Sequence, residues 1–443
     1  MNRSFFKRAS ALLALLLALS PALNACVAAP ASGGATPPEE SAATAETPAQ
    51  SPEDAGNAPE GGLPGNAAEI ALQAQALGFR LLPAMMEGRT AENAILSPAA
   101  LFALFDALAL GAAPETAEEI AAKTGLAPDP AEALKGYAAL LESLEIKPYA
   151  AFVLGEPLSY KPEFLEGLAG AVGTESAAFG EEGGTQAANA EAAKLSEAFA
   201  GLYAQTTPAE RLYLLAGAAP SMKFAAAFPF GESFDGFFDA PSGLLPTKML
   251  YTEGLFGYYE DENFQLAAIP MQGGRTELRL LLPSDNIRPE IAELLSEKGA
   301  EWLLSTELDE SPIRLTIPSL DLSESADLRE DLLLLGLQKP FGQGAGLSFI
   351  EQEGFPLYVN RLDALARLKL SESGVNVDEP AQPDLSPAAF DIGESATSMN
   401  LTEPFLLALV DKETGLPLLL GWINLPSKAA PEAAEQPATG AAQ

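Results

Sequence analysis

The feature that most constrains the fold is an uninterrupted stretch of chain between about residue 67 and residue 426. No run rich in proline, glycine and serine breaks this stretch for long, and no internal repeat divides it. Apolar residues make up 48% of the whole chain, which is enough for a sizeable core. The sequence therefore predicts one large domain spanning residues 67–426.

Helical periodicity dominates the first half of this domain. In Ala67–Glu87, apolar residues recur at spacings of three and four. Ser97 and Pro98 are typical of a helix start, with serine as N-cap and proline in the first helical position. The helix that follows, Ala99–Leu110, is apolar nearly all round and should be buried. Its one charged residue, Asp106, is expected to reach solvent near the helix end. Further helices are predicted at Glu115–Lys123, Pro130–Leu144, Pro162–Gly170 and Gln186–Ala204.

The second half of the domain is predicted to consist mainly of strands. One hairpin pairs Gln265–Met271 with Glu277–Leu282 across a glycine-containing turn. A second pairs Phe405–Val410 with Pro417–Ile423, and its apolar strands are typical of a buried sheet. Because helices come first and strands later, the pattern predicts an α+β fold rather than alternating βαβ units.

Composition excludes several function classes. The 25 Lys and Arg residues face 61 Asp and Glu residues, a net charge of −36 that repels nucleic-acid backbones. The absence of histidine excludes Ser-His-Asp and Cys-His catalysis and imidazole metal sites. Ser-Lys catalysis would need a Ser-x-x-Lys spacing, which occurs only at Ser4 and Lys7, within the first 25 residues that form the predicted export signal. We therefore expect the protein not to be an enzyme. With a single cysteine, Cys26, the chain has no intramolecular disulfide, and neither a metal nor another cofactor is expected.

The first 25 residues have the pattern of an export signal. Basic residues are followed by the apolar run Ala11–Leu19, which is too short to span a bilayer. Leu23–Cys26 resembles a bacterial lipobox, in which the cysteine becomes the lipidated first residue of the mature protein. The alternative is simple secretion, with Cys26 merely close to the cleavage site. Either way the protein is expected to be exported, and a membrane would be contacted only through the N-terminal lipid.

Two segments outside the domain have compositions typical of disorder. Residues 26–66 follow the export signal and are rich in alanine, proline and glutamate, with no aromatic residue. They are predicted to tether the domain to a bacterial cell surface. Residues 427–443 have a similar composition and are predicted to form a frayed tail.

Several blocks between residues 67 and 426 resemble the serpin family, in the family's order and without gaps inside the first and third blocks. The matching blocks are Asn93–Glu118, Ile317–Ser348, Leu357–Gly374 and Pro404–Pro426. The resemblance implies a single α+β domain with three β-sheets, eight or nine helices and an exposed reactive-centre loop. The loop should run from about Val375 to Thr397.

The resemblance also implies a function, a mechanism and its residues. A target protease cleaves the exposed loop, which then inserts as a new central strand of the main sheet. The implied scissile region comprises Ala388, Ala389, Phe390 and Asp391. The implied hinge comprises Glu372, Gly374, Val375, Val377, Glu379 and Pro380. Phe390 would suit a chymotrypsin-like protease, and the alanines an elastase-like one.

The hinge departs from the composition that insertion favours. Val375 and Val377 alternate acceptably, but Glu379 would next point into the core. Pro380 lacks the N–H that a central strand donates. Inhibitory members of the family usually carry an alanine-rich hinge here.

A second departure concerns the site where the family's main sheet opens. A polar cluster is usual there, and the shutter-equivalent positions of this chain are Ser97, Ala100, Ala216 and Ala364. Three of these four positions are alanine, so the family's hydrogen-bonded cluster cannot form.

Two hypotheses follow. The first is a surface lipoprotein that inhibits a serine-type or cysteine endopeptidase by loop cleavage and insertion. The second is a serpin-fold protein that does not inhibit, serving as a binding module or a protease bait; the hinge and the shutter favour this one. In both cases we expect a monomer.

Overall fold

The computed structural model describes residues 63–126, 129–180, 182–226, 228, 232–378 and 396–427. Within these ranges the chain forms eight α-helices and sixteen strands. The helices are α1 (Ala67–Gly88), α2 (Pro98–Leu110), α3 (Pro114–Thr124), α4 (Pro130–Ser143), α5 (Pro162–Gly167), α6 (Glu182–Leu195), α7 (Ile291–Ala300) and α8 (Arg329–Leu334). None of these helices is long and apolar enough to cross a membrane.

The strands complete the α+β fold. They are β1 (Ala94–Leu96), β2 (Tyr149–Gly155), β3 (Gly173–Ala177), β4 (Leu212–Ala218), β5 (Met222–Lys223), β6 (Phe234–Ala240), β7 (Gly243–Glu260), β8 (Phe264–Pro270), β9 (Thr276–Pro283), β10 (Asp309–Pro318), β11 (Leu320–Asp327), β12 (Arg361–Ser371), β13 (Gly374–Val375), β14 (Thr397–Asn400), β15 (Phe405–Asp411) and β16 (Leu416–Ile423).

Local signals set most helix boundaries where the sequence predicts them. Ser97 caps α2 by accepting a hydrogen bond from the Ala100 N–H at 3.3 Å, and Pro98 occupies the first helical position. The prediction of a helix over Gln186–Ala204 is wrong at its C-terminal end. There α6 stops at Leu195, because Ser196 is extended and caps a separate 3₁₀ turn.

The larger sheet contains nine of the described strands, in the order β1-β16-β15-β9-β8-β7-β10-β14, with β6 also paired to β7. Strand β7 pairs with β6 near its start and with β8 near its end. One long strand therefore joins two ladders that would otherwise be separate sheets. For this reason the three sheets expected from the resemblance form two hydrogen-bonded networks among the described strands.

The smaller sheet contains seven described strands and is mixed. Strand β12 is its centre, with β11 antiparallel along one edge and β4 parallel along part of the other. One face joins the main hydrophobic core, to which α2 contributes. The opposite face is covered by α6 and the segment after it, which form a second hydrophobic cluster with side chains of β2, β4 and β12.

Asp106 does not reach solvent, contrary to the expectation from the sequence. Helix α2 is covered by α3 and α4 as well as by the sheet, so even this position is only 1% exposed. Neither carboxylate oxygen has a hydrogen-bond partner among the described residues. Burial raises the pKa of the Asp106 carboxyl to about 8.

Replacing this carboxyl should change how stability depends on pH. Between about pH 4 and pH 8 the folded protein keeps a proton on Asp106 that the unfolded chain has released, so wild-type stability falls as pH rises. Asp106→Asn removes this dependence. The free energy of unfolding of Asp106→Asn, measured relative to that of wild type, should therefore rise by up to about 1.4 kcal/mol per pH unit between pH 4 and pH 8.

Unfolding curves recorded from pH 5 to pH 9 measure this gain. Glu118→Gln, which removes an exposed carboxylate from the neighbouring helix, is the matched control and should show no such trend. A difference between Asp106→Asn and wild type that does not grow with pH would contradict the assignment.

Candidate functional site

Two residues of the predicted hinge, Gly374 and Val375, lie inside the smaller sheet. Strand β13 is antiparallel both to the end of β12 and to β5. Val375 lies opposite Leu370 on one side and Met222 on the other, and its side chain is fully buried. The chain thus turns back after β12 and begins a new central strand that is two residues long.

Gly374 is required by this close packing. Its φ of +145° lies in a region that L side chains rarely adopt. A Cβ atom at this position would lie 2.1 Å from the Met222 carbonyl oxygen. Only glycine therefore allows β13 to lie between its two neighbours.

Glu372 holds the turn that leads into β13. Its carboxylate pairs with the Lys248 ammonium and accepts a hydrogen bond from the Ser233 hydroxyl at 3.0 Å. Partial burial opposes ionisation, but Lys248, a backbone N–H and Ser233 together outweigh it and lower the pKa of Glu372. The Glu372 carbonyl also accepts a hydrogen bond from the Phe228 N–H at 3.0 Å.

Asn376 ends the new strand and bridges the gap beyond it. Its side-chain amide nitrogen donates to the Pro220 carbonyl at 2.6 Å and to the Arg367 carbonyl at 2.7 Å. Its side-chain oxygen accepts from the Lys369 N–H at 2.7 Å. Its backbone φ of +49° turns the chain out of the sheet. We call these three side-chain hydrogen bonds the Asn376 bridge.

The Asn376 bridge occupies groups that a longer strand would use. In continued antiparallel register, Lys369 would face residue 376 and Arg367 would face residue 378. The Lys369 N–H and the Arg367 carbonyl are the backbone groups that an extended β13 would bond. Further insertion therefore requires the side-chain amide to leave.

Toward the N-terminal end of β12 the sheet is closed by direct pairing of β4 with β12, which we call the seam. Residues 213–218 lie parallel to residues 361–366. A Cβ atom on Gly217 would lie 2.2 Å from the Leu365 carbonyl oxygen, so the two strands are in tight contact.

The four shutter-equivalent residues are all buried, but the structure brings only two of them into register. Ala216 lies directly opposite Ala364 across the seam. Ser97 and Ala100 belong to the start of α2, where the Ser97 hydroxyl donates to the Leu418 carbonyl at 2.7 Å. The seam thus has apolar side chains where these alanines meet.

A polar group that the sequence analysis missed ties the segment after α6 to the smaller sheet, which that segment covers. The Tyr203 hydroxyl, from the segment after α6, donates to the Asp363 carboxylate at 2.7 Å. The Arg361 guanidinium pairs with the same oxygen at 2.7 Å and lies over the Tyr203 ring. Burial raises the pKa of Asp363, against the opposing effect of Arg361 and Tyr203. No spacing signal links Tyr203 to Asp363, because they are far apart in sequence.

The remaining site predictions stay untested. Glu379, Pro380 and the scissile region Ala388, Ala389, Phe390 and Asp391 lie outside the described residues, as does Cys26. Val377 is half-buried and lies just beyond the Asn376 bridge, and Asp378 pairs with the Lys369 ammonium at 2.8 Å. No cluster of three or more metal-binding side chains occurs within the described ranges.

Comparison with known proteins accounts for this architecture. The family model described as serpin (serine protease inhibitor) matches residues 72–426. The chain belongs to the serpin family. The family is described as one of protease inhibitors rather than catalysts, so the protein is not an enzyme.

Individual serpins are distant from this chain in sequence. A serpin-like protein of Thermococcus kodakarensis is 23% identical over 217 residues, which cover 48% of this chain and 50% of that protein. The human leukocyte elastase inhibitor is 26% identical over 191 residues, covering 40% of this chain and 48% of the inhibitor. The chain thus spans about half the length of the curated relatives it matches.

The fold is shared more completely than the sequence. The crystal structure of human thyroxine-binding globulin matches with a TM-score of 0.73 at 18% identity. The match covers 82% of this chain and all of the globulin chain. This likeness confirms the serpin fold.

Substituting Gly374 should expel β13 from the sheet. Gly374→Ala places a methyl group against the Met222 carbonyl, so the backbone hydrogen bonds on both sides of β13 should be lost. Hydrogen exchange of the amides at residues 222–224 and 374–376 should then accelerate at least tenfold.

Gly173→Ala is the matched control, since the added methyl on β3 would have no neighbour nearer than 3.5 Å. It should leave exchange at the hinge unchanged. Unaltered exchange in Gly374→Ala would show that β13 is not seated in the sheet in solution.

Proposed function

We propose that this serpin inhibits a serine-type or cysteine endopeptidase by loop cleavage and insertion. The observation that carries the proposal is the position of β13. Gly374 and Val375, where the loop begins, already lie between β12 and β5, antiparallel to both, with Val375 buried. Insertion would extend an existing strand rather than start a new one.

The described contacts indicate what insertion would have to break. Residues beyond 375 would enter between β4 and β12, so the parallel backbone pairs of the seam must separate. Since Ala216 and Ala364 meet there, separation breaks no side-chain hydrogen bond at that point. An inserted strand would then bond to neighbours on both sides, and cleavage of the loop would free it to do so.

A second candidate function is a serpin-fold binding module or protease bait that does not trap its protease. The Asn376 bridge favours this alternative, because it already occupies the groups that the inserting strand needs. The composition of the hinge at Glu379 and Pro380 favours it as well. Human thyroxine-binding globulin, with the same fold, is described in complex with thyroxine.

For the target we propose an elastase-like or chymotrypsin-like protease. Ala388 and Ala389 have side chains small enough for an elastase-like pocket, whereas Phe390 suits a chymotrypsin-like one. The similarity to a protein named leukocyte elastase inhibitor supports the elastase-like choice.

For the location we propose export and attachment to a bacterial cell surface through lipid on Cys26, with residues 26–66 as the tether. The lipobox-like Leu23–Cys26 supports lipidation. Expressed in a bacterium with lipoprotein processing, the wild-type chain should partition into the detergent phase, and Cys26→Ala should not. Equal partitioning of the two would contradict lipidation.

The inhibitor hypothesis predicts a covalent complex. Incubation of the full-length chain with an elastase-like or a chymotrypsin-like protease should give a complex that survives denaturing electrophoresis. The loop-cleaved form should also melt well above the intact form. A clean cut with no complex and no gain in melting temperature would favour the binding or bait function.

Paired variants test whether insertion causes the trapping. In continued register the side chain of residue 377 follows Val375 on the buried face, so Val377→Glu should abolish the complex. Asp378→Asn changes the neighbouring residue, which points to the other face, and should leave the yield of complex nearly unchanged. Equal yields from both variants would exclude insertion along this register.

Asn376→Ala should accelerate insertion. Without the side-chain amide, the Lys369 N–H and the Arg367 carbonyl become available to the advancing strand. Each lost hydrogen bond destabilises the closed state by about 1 kcal/mol. Rates of loop insertion, followed by fluorescence of a label in the loop after cleavage, should rise at least tenfold. Ser221→Ala, which removes only a hydroxyl donor to the Asn376 backbone, is the control, and an unchanged rate in Asn376→Ala would contradict the role of the bridge.

A further inference from the structure

A cavity between α2, α3 and the start of α4 has no part in the proposed inhibition. It has a volume of about 330 Å³. Its walls are mostly apolar and include Ala109, Ala117, Ile120 and Leu126. Small-molecule pockets in proteins begin at about this size, and the cavity has room for roughly ten water-sized groups.

Asp106 is the one buried ionisable residue among the described residues that line this cavity. Its side chain lines the cavity, is 1% exposed and has no hydrogen-bond partner among the described residues. Buried carboxylates in folded proteins are almost always paired or hydrogen-bonded. The carboxyl of Asp106 thus lacks the partner that a buried carboxyl usually has, and the described residues around it do not supply one.

The other lining groups define the chemistry of a partner. Glu118 is the only other charged side chain among the described lining residues, and it is exposed. A hard metal ion needs several oxygen ligands, which the apolar walls do not offer. An organic cation needs only one carboxylate and an apolar surface for its carbon atoms. The protein's net charge of −36 also concentrates cations around it.

We propose that this cavity binds a small aliphatic amine as its ammonium ion, with the ammonium group paired to Asp106 and the carbon chain against the apolar walls. The volume has room for a chain of four carbon atoms and for longer ones. The site goes beyond the proposed inhibition and does not depend on it.

Binding at neutral pH should release a proton. Because burial raises the pKa of Asp106 to about 8, its carboxyl is mostly protonated at pH 7 in the empty cavity. An ammonium ion favours the ionised carboxylate. The amine arrives already protonated, so close to one proton per site should pass from Asp106 to the buffer.

The test is calorimetric titration of the full-length chain at pH 7 with butylammonium chloride and, separately, with 1-butanol, which has the same size without the charge. Two buffers with different ionisation enthalpies report the number of protons released. We expect butylammonium to bind at least tenfold more tightly than butanol, with release of nearly one proton.

Two variants separate the buried carboxylate from general charge attraction. Asp106→Asn should lose the preference for butylammonium while still binding butanol, and Glu118→Gln should stay within about threefold of wild type. Equal binding of amine and alcohol by the wild type, binding without proton release, or an equal loss in both variants would overturn the proposal. So would the absence of butylammonium binding at millimolar concentration. The wild-type titrations decide the matter even if Asp106→Asn folds poorly.

Discussion

The backbone pairing along β12 is the constraint on which the rest of this structure depends. One edge of β12 is filled by β11. The other edge is shared between β4, which pairs with residues 361–366, and β13, which pairs with residues 370–371. The loop leaves directly from the end of β12, so the first strand it can join is the one that carries it. Any further entry of the loop must separate β4 from β12, and the stability of that pairing decides what this serpin can do.

Different forces hold the two parts of this edge. At the seam, backbone hydrogen bonds act between small apolar side chains, and Gly217 allows the strands to approach closely. Above it, the Asn376 bridge substitutes side-chain atoms for the backbone of a missing strand. Where Ala216 meets Ala364, the seam contains no polar side chain that would need a hydrogen-bond partner. Polar side-chain contacts lie instead at the hinge and in the segment after α6, where the Tyr203 hydroxyl donates to Asp363.

Asp106 differs from these groups because nothing in the described protein compensates for its burial. Asp363 also lies in the interior, but an arginine and a tyrosine hydroxyl face it. A carboxyl without such partners carries a cost that an apolar residue of similar size would avoid. In the site that we propose, a cationic ligand in the neighbouring cavity would supply the missing partner of Asp106 and offset the cost of its burial.

The sequence by itself determined the elements that depend on near neighbours along the chain. Periodicity and the Ser97-Pro98 cap predicted α2, and the apolar runs on either side of Gly415 predicted the hairpin of β15 and β16. The blocks that resemble serpins predicted the fold and the position of the hinge. These features depend on interactions between residues a few positions apart, or on family motifs that are contiguous in sequence.

Only the tertiary structure decided the rest. Asp106 is buried because α3 and α4 cover the part of α2 where its single charge had indicated contact with solvent. Asn376 gained its role from the register that places it beside Lys369 and Pro220, residues brought together by three different strands or turns. The pairing of Ala216 with Ala364 joins strands separated by well over a hundred residues. Long-range register depends on how whole elements pack, and no local preference of the chain encodes it.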